Sequence, residues 1–120
     1  TVEQGTALIR TTNALPGAAQ PRRALAVALG VVARGLDLPP AQVTELYLQA
    51  VAGNIVMAGV RFIPLGQTEG QAALAALHPA ILAIAEEAAA APLEALGGAA
   101  IGSDLAAVAH ETLETRTFRT

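Results

Sequence analysis

Apolar residues recur every three or four positions through most of this chain, the spacing of an α-helix with one face turned inward. The pattern predicts a first helix from Val2 to about Leu15, with Leu8 and Ile9 on its apolar side. Pro16-Gly17 breaks it. Pro21 can open a second helix, where its missing N–H goes unneeded, and Leu25, Ala28, Leu29, Val32 and Ala33 carry that helix to about Arg34. Gly35 caps it, and residues 36–40 connect to the next element. The longest helix is expected from Pro40 to Phe62. In its first half Val43, Leu46, Tyr47, Ala50 and Val51 point inward, with Gln42, Glu45 and Gln49 outward. Its second half is apolar nearly all round and should be buried on most sides. Gly53 and Gly59 each cost about 1 kcal/mol relative to Ala inside a helix. Close approach of a neighbouring backbone is the expected return.

Pro64 should stop that helix, and Gln67 or Thr68 should start the next, with Thr68 as its own cap. Ala72, Leu74, Ala75 and Leu77 continue it until Pro79, which is expected to break or restart it, leaving His78 at a helix end. Ile81, Leu82, Ile84 and Ala85 begin another stretch that closes near Ala91-Pro92. Leu93 to Gly102 reads as irregular. Ser103 can cap a last helix built on Leu105, Ala106, Val108 and Ala109. No segment reads as a strand, so the expected class is all-α: a helical bundle of five or six helices. The expected organisation is a helical domain over 1–109 and a polar tail over 110–120 that orders only on a partner.

Composition sharpens this picture. Apolar residues make up 53% of the chain and aromatic residues 2%, so Leu, Val, Ile and the 29 alanines must fill any core. Charged residues make up only 14%, about half the usual share. A chain this size cannot cover itself with so few polar groups, so part of its surface should belong to another chain or to a missing half. The chain lacks an initiator Met and opens inside a helical pattern, the expected look of part of a longer protein. Its net charge of −3 argues against nucleic acid, whose phosphates need a basic patch. The absence of cysteine removes disulfides, thiolate metal sites and thiol nucleophiles. The run around Ala50 to Ile63 is interrupted by Asn54 and Arg61, which reads against a membrane span.

Candidate chemistry is sparse. His78, His110, Ser103, Asp37, Asp104 and scattered glutamates show no triad or nucleophile-elbow spacing. Glu86 and Glu87 are adjacent, hence about a hundred degrees apart on a helix, and read as a solvated face. His110-Glu111 lacks the second histidine of a zinc-protease helix, and Gly66-x-x-x-Gly70 lacks the Lys-Ser/Thr of a P-loop. No catalytic, cofactor or metal residue is therefore assigned. Two segments remain. In Pro64-Leu65-Gly66-Gln67-Thr68-Glu69-Gly70-Gln71, a simple helix junction accounts for Pro64, Gly66 and Thr68 but not for Gln67 and Gln71. Two amides flanking a turn suit hydrogen bonds to a partner's main chain, and the residues alone leave both readings open. In the tail, Phe118 between Thr117 and Arg119 has the composition of an interface anchor rather than of a frayed end.

These two segments resemble the urease accessory protein family UreF, which carries Pro-Leu-Gly-Gln-Thr-x-Gly-Gln at this position. Its C-terminus reads His-Glu-Thr followed by an arginine and an aromatic residue, as in His110-Glu111-Thr112 with Arg116 and Phe118. The chain corresponds to the C-terminal part of a family member. The resemblance implies an all-helical, non-enzymatic cytoplasmic adaptor in the maturation of nickel-dependent urease. It implies a scaffold partner, UreD (also called UreH), a nickel-carrying GTPase, UreG, contact with apo-urease through that complex, and a homodimer. It implies no cofactor of its own, nickel being handled by the partners. By the same likeness His110, Glu111, Arg116 and Phe118 would meet the scaffold. Pro64, Leu65, Gly66 and Gly70 would shape the junction, with Gln67, Thr68 and Gln71 as candidate contacts. The match departs at Glu114, where the family often has Tyr, and at Thr117, where it has Leu, which should weaken docking of the tail. The rival readings are a generic helical dimerisation module and a small-molecule-binding helical bundle. The latter needs an enclosed pocket with convergent polar groups.

Overall fold

The computed structural model describes residues 2–14, 20–98 and 100–114. Among these, five α-helices and one short 3₁₀ turn follow in order, with no strand: α1 Val2–Asn13, α2 Leu25–Ala33, α3 Pro40–Phe62, α4 Gln67–Ala90, the turn Leu93–Ala95, and α5 Ile101–Glu111. The fold class is all-α, as the periodicity implies. The chain divides into two compact units, one formed by residues 33–92 and the other by residues 1–32 with 93–120.

In the second of these units, α1 ends at Asn13 and α2 starts only at Leu25, so residues 20–24 are not helical as Pro21 suggested. The Asn13 amide closes the connection instead. Its Nδ2 donates to the Gln20 carbonyl at 3.0 Å, and its Oδ1 accepts from the Gln20 N–H at 2.9 Å. This side chain thus satisfies main-chain groups that no helix ladder reaches. Ile9 and Ala28 are the unit's buried apolar residues. Gly5 explains how closely the chain approaches itself here. A methyl group on Gly5 would run into the Arg23 carbonyl and lie 2.7 Å from Leu25 N, so main chain rests directly on main chain.

The unit of residues 33–92 is an α3–α4 hairpin. Pro39 and Pro40 start α3, with Pro40 in the first turn where a missing N–H costs nothing. The helix ends at Ile63, whose extended φ −116° and ψ 149° is the conformation favoured before proline. Its N–H still reaches the Gly59 carbonyl at 2.8 Å. The Leu65 N–H then donates to the Ile63 carbonyl at 2.7 Å, a three-residue turn around Pro64. Gly66 follows as the N-cap of α4. Across the hairpin, a methyl on Gly70 would lie 2.6 Å from Val60 Cγ2 and 3.3 Å from Val56 Cγ1. Gly70 is buried, and its missing side chain lets the helices close on the valine pair.

Five expectations need correction. Pro79 does not break α4, which runs unbroken from Gln67 to Ala90 and places His78 in mid-helix rather than at an end. Proline removes the bond to the Ala75 carbonyl, but residues 75–80 are all exposed, so water can take that acceptor. Alanine-rich turns on both sides supply the helix propensity that carries the chain through. Thr68 is not the cap of α4, since Gly66 holds that position and no side-chain cap bond forms. Nor does Ser103 cap α5, which begins at Ile101 after Ala100. Gly53 has nothing within 4 Å of its missing Cβ, and Gly59 meets only Leu65 Cδ2 at 4.0 Å, so the close approaches fall at Gly5 and Gly70 instead.

The fifth correction concerns α3. None of its residues is buried. Leu46, expected inside, is 61% exposed, and Ile55, in the half expected to be covered on most sides, is 68% exposed. Conversely Glu45 and Gln49 are half-buried, and Gln49 Oε1 is buried without a hydrogen-bond partner. One neighbouring helix can cover only one side of a cylinder, and α3 is given only α4 within its unit.

Candidate functional site

The junction between α3 and α4 is rigidly specified by its own residues. Pro64 makes the turn, Leu65 is half-buried, Gly66 caps α4, and Gly70 locks α4 against Val56 and Val60. Glu69, in the first turn of α4, lays its carboxylate back against Gly66. An acid there faces the positive end of the helix dipole and unpaired N–H groups. Gln67, Thr68 and Gln71 stand exposed on the same two turns. Gln67 and Gln71 are four residues apart and so lie one above the other on a single face. The structure thus brings these three candidates together on one side of a helix start whose position Gly70 fixes.

The tail candidates divide. His110 and Glu111 form the last turn of α5, half-buried and exposed respectively. Beyond them Thr112 folds back, its hydroxyl donating to the Ala109 carbonyl at 2.9 Å. Arg116 and Phe118 lie outside the described residues. The glutamine group and the α5 group belong to different units of the chain.

Sequence reasoning missed α5 itself as a surface. Ile101, Leu105 and Val108 recur at helical spacing, and each is about two-thirds exposed. Leu93 and Leu96 just before it are more exposed still. The signal was present in the spacing, but the periodicity read equally well as a core-facing helix. Five leucine, isoleucine and valine side chains in so short a segment exceed the scattered apolar exposure of an ordinary surface.

Among the described residues, no group of three His, Asp or Glu stands close enough to hold a metal ion. A groove lined by Val2, Glu3, Thr6, Ala7, Arg10 and Arg22 lies open on α1. Both α3 and α4 are long and apolar enough, by length and composition, to cross a membrane.

Comparison with known proteins gives these surfaces a context. A family model described as UreF matches residues 1–78, a range that includes the whole Pro64–Gln71 junction. The chain is 59% identical over its full 120 residues to a protein of Cereibacter sphaeroides strain KD131 named urease accessory protein UreF. It is 49% identical over the same span to a protein of that name from Dinoroseobacter shibae, and 50% identical over 119 residues to one from Paracoccus denitrificans. In these alignments the chain covers 57%, 57% and 55% of the relative's length, so it spans little more than half of the curated relatives it matches. No solved structure matches. With the family model covering more than half of the chain and these relatives aligning along nearly all of it, the chain belongs to the UreF family of urease accessory proteins.

Proposed function

We propose that this chain is a non-enzymatic adaptor in urease maturation. It bridges a nickel-carrying GTPase of the UreG kind and a scaffold protein of the UreD/UreH kind, and through them reaches apo-urease. Nickel is cargo of the partners, and the chain contributes recognition. The observation that carries this reading is the pairing of a fixed helix start with two exposed amides. Gly70 and Pro64 hold the junction, and Gln67 and Gln71 present donors and acceptors on one face at no cost to the fold. The apolar residues left uncovered on α3 and α5 support the same reading, because they need protein to cover them. Asn54 and Arg61 on α3, with Glu86 and Glu87 on α4, favour a protein covering over lipid. In this reading the protein works in the cytoplasm, where its partners are made.

The C-terminal segment takes the scaffold in this scheme, through His110 and Glu111 at the end of α5 together with Arg116 and Phe118. Deleting the residues after Ala109 removes one helical turn at most, so the circular dichroism of the chain should stay nearly unchanged. Capture of the purified scaffold protein in a pull-down should be abolished. Normal capture by the truncated chain would remove the segment from the interface.

A further inference from the structure

The first half of α4 carries a row of unspent hydrogen-bonding groups. Gln67, Gln71 and Ala75 are spaced by four, so they stand on one ridge of the helix, and all three are exposed. Among the described residues no hydrogen bond engages the amide of Gln67 or of Gln71. The third group is main chain. Pro79 has no N–H, so the Ala75 carbonyl lacks the helix bond it would otherwise accept. A proline ring also crowds the carbonyl four residues back and turns it outward. The buried residues of α4, Gly70, Ile81 and Ala85, form a neighbouring strip and leave this ridge uncovered.

The row matches an extended main chain in spacing. Its successive members are about 6 Å apart along the helix. A strand turns the N–H and C=O of every second residue to the same edge, a repeat of about 6.6 Å. A glutamine amide has both a donor and an acceptor, so it can take the N–H and the C=O of one such residue together. The Ala75 carbonyl can accept the N–H of the next. The row matches in charge as well. From Gln67 to Ala85 the one formally charged side chain is Glu69, and its carboxylate lies back against Gly66. Neutral dipoles suit main-chain dipoles, whereas a charged side chain brought here would lose its water and gain no counter-charge. A helix fits less well, because its own ladder already uses its N–H and C=O groups.

We propose that this row binds the edge of an extended segment in a partner protein, taking every second residue of its main chain. The inference rests on the adaptor reading and specifies what the partner brings to α4: backbone rather than side chains. Residue-resolved hydrogen exchange on the scaffold and the GTPase, each free and in the assembly, tests it. On assembly, alternate amides of one extended partner segment should slow by about tenfold, the effect of one net hydrogen bond. Gln67→Ala should release one of these amides, and Gln71→Ala the amide two residues along. Pro79→Ala should release a third, two residues further, because it returns to the Ala75 carbonyl the N–H it lacks. That substitution strengthens the helix, so its effect cannot come from a damaged fold. Released amides three or four residues apart, or slowing that survives all three variants, would overturn the strand edge while leaving partner capture intact. No slowed amide in an extended segment of either partner would overturn it together with the role given to the two glutamines. A parent chain that forms no assembly would overturn the adaptor reading and this inference with it.

Discussion

Individual positions in this chain are set by how close the backbones come. Gly5 and Gly70 sit where a single methyl group has no room, whereas Gly53 faces open space. The same substitution should therefore have opposite signs. Gly53→Ala gains helix propensity without a clash and should stabilise the chain by about 0.5–1 kcal/mol. Gly5→Ala must push main chain away from main chain and should destabilise it by about 1–3 kcal/mol, more than the propensity it gains. The urea midpoint of each variant against the parent measures both, and a stabilised Gly5→Ala chain would contradict the packing described for α1. Sequence alone could not rank these glycines, because all are embedded in helical patterns and only a tertiary neighbour distinguishes them. Reading Gly53 and Gly59 as the sites of close approach failed for that reason.

At the level of elements the hydrophobic pattern was informative where local rules suffice. The α3 bounds, Pro40 to Phe62, follow from proline at each end. The start of α4 follows from the Pro-Leu-Gly turn. What the pattern did not reveal was context. Pro79 reads as a break in any isolated stretch, but an exposed, alanine-rich surround lets α4 pass through it. Pro79→Ala should accordingly stabilise the chain by about 2 kcal/mol, most of the interior cost of proline, as read from the urea midpoint. A loss of stability would show that the bend proline introduces is needed for packing against α3. Burial was the least legible property. Leu46 and Ile55 have every intrinsic reason to be inside, and nothing in their spacing shows that the described chain gives α3 only α4 as a neighbour in its unit. For the candidate site, Gln67 and Gln71 stood out in the sequence because no packing role accounts for them, and the structure finds both exposed. The exposed face of α5 was not, because an amphipathic helix looks the same whether its apolar side meets a core or a partner.

For the whole molecule, low charge and poor burial describe one condition. The apolar core of the described residues is small, comprising Ile9, Ala28, Ile81 and Ala85, while large apolar side chains stand exposed on α3, α4 and α5. Exposure of this kind is expected where other protein covers the surface, and in the adaptor reading proposed above that cover comes from partner proteins or from further chain of the kind its relatives carry. The central claim is that completion, rather than chemistry, is its function. The direct test is co-purification of the protein with the scaffold and the GTPase, with and without nickel and GTP, followed by metal analysis of each fraction. The account predicts that the chain elutes with both partners and that nickel travels with the GTPase. It also predicts that Gln67→Ala with Gln71→Ala weakens the assembly without changing the chain's own unfolding midpoint. A chain that elutes alone, carrying the nickel itself, would contradict it.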